Sequence, residues 1–261
     1  MNPAFAEHYR HLERWHWWFR GRQRILSTVL HRKLSNQTAL SIASVGCGPV
    51  EGLAWLSPIA GASGRVIGLD ATPIHAETFR PGMGYVVGQL EAAPLRSAAF
   101  DVVLALDVVL ALDVLEHLED DVLGIREAAR LLTPNGLLVV TVPALPSLWG
   151  KQDEVSHHKR RYTKQTLARV FAQAQLPSPT ITYFNTLLFP VIAAIRWGRA
   201  LLGLADRSRS DFDDTRPGVI NEVLAAVFAF ERHLIYRLSL PVGVSLLATV
   251  RLSALHHGSE G

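Results

Sequence analysis

An apolar run, Ser41 to Val45, ends in Gly46-Cys47-Gly48, and the next apolar run, Arg65 to Leu69, ends in Asp70. Glycine at a strand end lets the main chain turn sharply and come close to a ligand with no Cβ in the way. An acid closing the neighbouring strand is placed to accept hydrogen bonds from ribose hydroxyls. Gly-x-Gly alone also serves ordinary strand-to-helix turns, and the acid about twenty residues further on is what makes the pair a nucleotide-like cofactor pattern.

The remaining chain repeats the alternation that such a site requires. A helical region over about Ala4 to Leu34 precedes the first strand. After it come a helix near Glu51 to Ile59, the strand ending at Asp70, a short helix after Pro73, and a strand around Tyr85 to Val87. Phe100-Asp101-Val102-Val103 opens another apolar strand, a helix follows, and Leu137 to Pro143 forms the next strand. Short apolar strands alternating with helices predict an α/β, doubly wound, mostly parallel sheet covered on both faces. Ligands collect at the carboxyl ends of such strands, where Gly46, Gly48, Asp70, Gln89 and Asp113 fall.

Beyond Pro143 a loop carries Asp153, His157, His158, Lys159, Arg160, Arg161 and Tyr162, then a helix runs from about Lys164 to Ala174. Residues 170–195 hold no charge after Arg169, but prolines interrupt them, and they read as a strand followed by a buried or interfacial helix rather than a membrane span. In Val219 to Leu238 the apolar positions 220, 223, 224, 227, 228 and 234 follow a helical stripe. This stripe suits either packing on the sheet or a lid over a greasy substrate. The expected organisation is one domain over 1–261: an N-terminal helical region at 1–36, a cofactor-binding core at 37–183, an apolar helical insertion at 184–240 and a last strand at 241–252.

One internal repeat stands out. Val-Leu-Ala-Leu-Asp-Val occupies residues 103–108 and again 109–114. Twelve residues of strand would extend about 40 Å, far beyond the usual strand of about five or six residues, so one copy must be displaced. The unit is even in length, so sliding by one copy keeps every side chain on its face. The second copy, continuous with Glu116 and His117, is the expected strand end.

Composition sets outer limits. In 261 residues 49% are hydrophobic, enough for a full core, and the only cysteine is Cys47, so no internal disulfide can form. A reducing cytoplasm is the natural compartment, and no secretory leader is evident in Met1 to His8. The net charge of +3 is uneven: Arg10, Arg14, Arg20, Arg22, Arg24, Arg32 and Lys33 face only Glu7 and Glu13 in the first forty residues. Such a patch suits a phosphate-bearing substrate, peripheral contact with an anionic membrane surface, or a solvated helix face. No nucleic-acid module accompanies it, and no nucleic-acid partner is expected.

Taken in order, the glycine strand end, Asp70, the FDVV strand running into Val114-Leu115-Glu116-His117, and Leu132-Thr133-Pro134-Asn135-Gly136 resemble class I S-adenosylmethionine-dependent methyltransferases over about residues 40–145. The resemblance implies a seven-stranded Rossmann-like methyltransferase fold and S-adenosyl-L-methionine as cofactor. It also implies contacts from Gly46, Cys47, Gly48, Asp70, Gln89, Leu90 and Asp113, with Asp70 on the ribose diol and Gln89 and Leu90 at the adenine. The chain departs from the family pattern at Ser44, where an acid is common, at Val50, where a third glycine is common, and at Gln89, where an acid is common. A nicotinamide-dependent oxidoreductase fits less well, because the third glycine of its motif would fall at Glu51. A methyltransferase-fold binding protein without turnover is the other alternative.

The chemistry expected is methyl transfer to a small or lipid-like acceptor, with O-methylation preferred by resemblance. The protein then has to align a nucleophile and remove a proton. His117, His158 and Tyr162 are the principal candidates, with His157 and Asp153 beside them, since imidazole titrates near neutral pH. Asp113, Glu116 and His117 also resemble the magnesium-binding arrangement of ubiquinone-pathway O-methyltransferases, but capping explains them equally and no metal is assigned. Arg160 and Arg161 suit either an anionic substrate group or a tie to acids at the sheet edge.

Overall fold

The computed structural model describes residues 12, 14–34, 37–48, 50–71, 82–105, 114–201 and 215–253. Seven strands, β1 (Ser41–Val45), β2 (Arg65–Asp70), β3 (Met83–Val87), β4 (Phe100–Ala105), β5 (Leu132–Pro143), β6 (Thr180–Phe184) and β7 (Ser245–Arg251), form one sheet in the order β3-β2-β1-β4-β5-β7-β6. The first five are parallel, and β7 enters antiparallel between β5 and β6. The carboxyl ends of β1 to β6 therefore lie along one edge.

Strand alternation sorts the apolar residues onto two faces. Ile42, Val102, Leu104, Leu137 and Val139 face helix α1 (Trp17–Lys33), packing against Ile25, Leu26 and Leu30. Ala43, Val45, Val103, Leu138 and Val140 face the other way, toward Ile125 and Ala128 of α3 (Asp121–Arg130) and Phe171 of α5 (Lys164–Gln173). Between these lie two short helices, α2 (Ser57–Ala60) and α4 (Lys151–Val155). Asp120 caps α3 by accepting from the Leu123 N–H, and Thr163 caps α5 through the Thr166 N–H, as hydroxyl and carboxylate side chains do at helix starts.

Two further helices, α6 (Phe189–Leu201) and α7 (Val219–Phe230), form the apolar insertion. The aromatic run at Trp15 to Phe19 is what docks it. Trp18 and Phe19 are buried, Trp17 meets Phe228 of α7 edge-on, and the Asn221 side chain accepts from the Trp17 N–H and donates to the Trp15 carbonyl. Gly21 permits this approach: a Cβ there would lie 2.4 Å from Phe228 Cδ1.

Several expectations change. The helix expected at 51–59 is a 3-10 segment, Val50–Leu56, followed by α2. The stripe expected to run to Leu238 stops as a helix at Phe230, and the last strand begins at Ser245. Among the described residues β4 runs into the first copy of the repeat, where Val103, Leu104 and Ala105 pair with β5 and with β1. The second copy, the expected strand end, lies outside the described residues apart from Val114. Residues 106–113, the helix expected after Pro73 and most of the charged linker at 206–216 lie outside the described residues. No helix among the described residues is long and apolar enough to cross a membrane.

Candidate active site

The first half of the site is made by main chain. Gly46 and Gly48 take φ of +64° and +58°, the left-handed region that favours glycine, so the chain turns away from β1 with no side chain at either corner. Gly46 N–H donates to the Leu69 carbonyl at 2.7 Å, and Gly48 N–H donates to Asp70 Oδ2 at 2.8 Å. The turn after β1 is thus tied to the end of β2, and the Asp70 carboxylate is held at the lip of the turn. Cys47 is buried, its sulfur packed where a Cβ on Gly68 would come within 2.6 Å, so only its main chain can meet a ligand. Ser44, next to last in β1, buries a hydroxyl that has no hydrogen-bond partner among the described residues.

Asp70 also conditions Tyr85 on β3. Burial first, and then the nearby carboxylate, hold the Tyr85 hydroxyl above its ordinary range, so it stays protonated. Gln89 is exposed after β3, and Leu90 is buried among core residues near Gly124 of α3. A Leu90 contact to a ligand would therefore come from its main chain. Asp113 lies outside the described residues.

The second half is built from side chains of the loop after β5. Asp153 is fully buried and gathers the loop around itself: His158 Nδ1 lies 2.8 Å from Oδ1, Arg161 Nε donates to Oδ1 at 2.7 Å, and Gly150 N–H donates to Oδ2 at 2.8 Å. Arg196 of α6 approaches the same carboxylate at 4.0 Å. Burial alone would raise the Asp153 pKa, but the His158 hydrogen bond and the charges of Arg161 and Arg196 outweigh it and hold it below the ordinary carboxylate range. An ionised acceptor on Nδ1 puts the His158 lone pair on Nε2. His117 is fixed in the same sense, its Nδ1 donating to the His157 carbonyl at 3.1 Å, and the two imidazoles meet edge to face at 5.0 Å.

This loop is anchored to the segment that leads into α3 and to the end of β5. Lys159 N–H donates to the Glu116 carbonyl, Tyr162 N–H to Pro143, and Leu145 N–H to Tyr162. Arg161 donates to the Ala144 carbonyl, while Arg160 pairs with Asp121 at 3.0 Å and donates to the Leu118 carbonyl. Of the two roles open to these arginines, the tie to the sheet edge is the one they fill. Tyr162 does not suit the proton chemistry expected of it: its buried hydroxyl donates to Asp121 Oδ2 at 2.8 Å, and burial, then Glu116 and Asp121, push its pKa upward. It anchors the loop. Arg196 was not visible as a site residue in the sequence, since it lies on another helix and is brought in by folding. No cluster of metal-ligating side chains occurs among the described residues.

A glycine turn and an acid at adjacent strand ends, in a sheet of this order with β7 reversed, define a Rossmann-like methyltransferase fold. Residues 43–140 match a family model described as a methyltransferase domain. Over this span the chain is similar to class I S-adenosylmethionine-dependent methyltransferases, a class whose cofactor is S-adenosyl-L-methionine. It is 30% identical over 130 residues to a Mycolicibacterium smegmatis protein named "Probable S-adenosylmethionine-dependent methyltransferase", covering 49% of this chain and 46% of that one. It is 32% identical over 117 residues to the ubiquinone biosynthesis O-methyltransferase of Azorhizobium caulinodans, covering 42% and 43%. The chain spans less than half the length of the curated relatives it matches. In fold it is similar to a chain of the complex between the Haloferax volcanii Trm112 methyltransferase activator and a methyltransferase, with TM-score 0.60, 21% identity, and coverage of 97% and 96%.

The site fits the cofactor on its own geometry. Two left-handed glycines leave bare main chain beside β1, the Asp70 carboxylate at the next strand end is a group able to accept from a diol, and among the described residues the Ser44 hydroxyl is a buried polar group without a partner.

Proposed function

We propose that this chain is a methyltransferase that transfers a methyl group to a hydroxyl of a small or lipid-like acceptor, with His158 as general base. Gly46, Gly48 and the Cys47 main chain would flank the cofactor, Asp70 would accept from its ribose hydroxyls, and Gln89 with the Leu90 main chain would meet its adenine. When bound, the cofactor supplies an electrophilic methyl on a sulfonium. The rest of the work falls to the protein: excluding water, orienting the acceptor and taking up its proton.

The observation that carries the reading is the Asp153–His158 pair. A hydroxyl must lose its proton when it is methylated, and an imidazole oriented through Nδ1 by a buried carboxylate presents Nε2 as the acceptor. Arg161 and Arg196 keep that carboxylate ionised, which stabilises the imidazolium formed as the proton arrives. The ring of His117, packed against His158, limits where an acceptor can enter. The named activity of the Azorhizobium relative supports oxygen as the accepting atom. The lone cysteine, buried as a thiol, supports a reducing, cytoplasmic setting.

The test is transfer of labelled methyl from S-adenosylmethionine to a panel of phenols, aliphatic alcohols, amines and hydroxylated lipids, with the wild-type chain and with His158→Ala. Transfer to hydroxyl acceptors that is lost in His158→Ala supports the reading. Transfer confined to amines removes the O-methyl assignment. Cofactor binding with no transfer to any acceptor favours the binding-protein alternative.

A further inference from the structure

Helix α6 turns an apolar stripe outward. Leu187 just before the helix and Val191 and Ile195 on it recur every four residues at 43%, 60% and 48% exposure, and Leu201 at the helix end is 87% exposed. Leu188 just before the helix and Ile192 and Ala193 on it pack inward, so the outer stripe is left over after the core is complete. Val219, Ile220 and Val223 on α7 are exposed as well. An apolar surface of this extent marks an interaction site.

The border of the stripe indicates what covers it. Helix α6 contains no acid, and Arg199 near its end is exposed, as is Arg216 just before α7. Among residues 187–201 and 215–238 the acids are Glu222, paired with Arg20, and Glu231, which is fully buried. Residues 202–214, outside the described set, carry four aspartates and two arginines. Trp149 and Trp197 are half exposed together beside the loop after β5, and the Trp197 Nε1 donates to the Ser147 carbonyl at 3.0 Å. Aliphatic side chains in a row, arginines at the edge and tryptophans at the rim make up a helix that lies in a membrane interface. At 13 residues it is too short to span one.

The stripe is also joined to the reacting loop. Arg196, on the inner side of α6, donates to the Leu148 carbonyl at 2.8 Å and reaches to 4.0 Å from Asp153. A surface that engages α6 therefore lies next to the pair that orients His158.

We infer that α6 docks this protein on an anionic lipid bilayer, with Val191 and Ile195 in the acyl boundary and Trp149 and Trp197 at headgroup level. The docking stands apart from the methyl-acceptor assignment. Only its use, delivering a lipid-like acceptor to His158, rests on that assignment.

Flotation of the full chain with vesicles of phosphatidylcholine, alone and mixed with phosphatidylglycerol, tests it. Binding to the mixed vesicles that weakens as salt is raised is expected. The double substitution Val191→Asp, Ile195→Asp should lower vesicle affinity at least about tenfold, from the loss of two aliphatic insertions. Both positions are exposed, so its melting temperature should match that of the wild type. The inference is overturned if mixed vesicles leave the wild-type chain in solution, or if the double variant floats as well as the wild type. It is equally overturned if light scattering shows a dimer that the double variant separates, since the face then belongs to a second copy. Calorimetry with S-adenosylhomocysteine on the same preparations separates the two claims: docking can fail while cofactor binding persists, and the converse.

Discussion

The two halves of the site are built by different means. At β1 and β2 the proposed cofactor surface is main chain and one carboxylate, set by residues that are close in sequence or on adjacent strands, and its geometry follows from two glycine dihedrals and one N–H to carboxylate bond. At β5 the proposed base, His158, is held by a buried ion-pair network that joins Asp153, His158 and Arg161 of the segment after β5 to Arg196 of a helix from the insertion. The first half is rigid because the sheet is rigid. The second depends on charges staying paired away from water, and so is the half that substitution and pH should disturb most.

Two substitutions probe that difference. His158→Ala should reduce methyl transfer by about 10²–10⁴-fold, the usual contribution of a general base, while leaving S-adenosylhomocysteine affinity unchanged; steady-state rates and calorimetry check this. A parallel loss of affinity would mean the halves are not separate. Asp153→Asn should cost about 3–5 kcal/mol in unfolding free energy, because it leaves Arg161 buried without its carboxylate. Chemical denaturation measures it, and the change should again spare cofactor affinity. The Asp153 carboxyl is held below the ordinary range in the folded chain, so its contribution is present above about pH 4 and is lost as pH falls through the lowered value. A wild-type stability curve that stays flat over that acid range, relative to Asp153→Asn, would contradict the assignment.

Glu231 tests how the insertion is fastened. Its Oε1 accepts from the Thr186 and Leu187 N–H groups at 2.7 and 2.8 Å, just ahead of α6, while burial raises its pKa. Glu231→Ala strands two backbone donors and should destabilise by about 1–3 kcal/mol. Glu231→Gln keeps the acceptor and removes a poorly solvated charge, so its unfolding free energy at neutral pH should stay within about 1 kcal/mol of the wild type. Equal losses in both variants would show that the charge, and not the acceptor, is what holds α6.

The unequal legibility of the two halves has the same origin. Strands β1, β2 and the later part of β5 are apolar runs bounded by turn residues, and the Gly46-Cys47-Gly48 turn and Asp70 lie where those runs end. Local pattern was enough to place them. The duplicated Val-Leu-Ala-Leu-Asp-Val could not be resolved, because a six-residue shift preserves the side-chain alternation and either copy satisfies the pattern. Among the described residues it is Ala105 of the first copy that pairs with Val45 and Val140. Asp153 and His158 were visible as candidates, but their division of labour was not. The roles proposed for them, Asp153 orienting and His158 accepting, rest on burial and on Arg196, 43 residues beyond Asp153. Tyr162 is the reverse case: a phenol in a reactive-looking cluster whose partner, Asp121, lies on another helix and turns it into an anchor.

The central claim is that bare main chain at Gly46–Gly48 and the carboxylate of Asp70 hold the adenosyl moiety, and calorimetric titration with S-adenosylhomocysteine tests it most directly. The wild-type chain should bind at a single site, and Asp70→Ala should weaken binding by roughly ten- to a hundredfold, the value of about 1.5–3 kcal/mol for hydrogen bonds to a charged group. A wild-type chain that gives no heat with the ligand, or an Asp70→Ala chain that binds as tightly as the wild type, would contradict it.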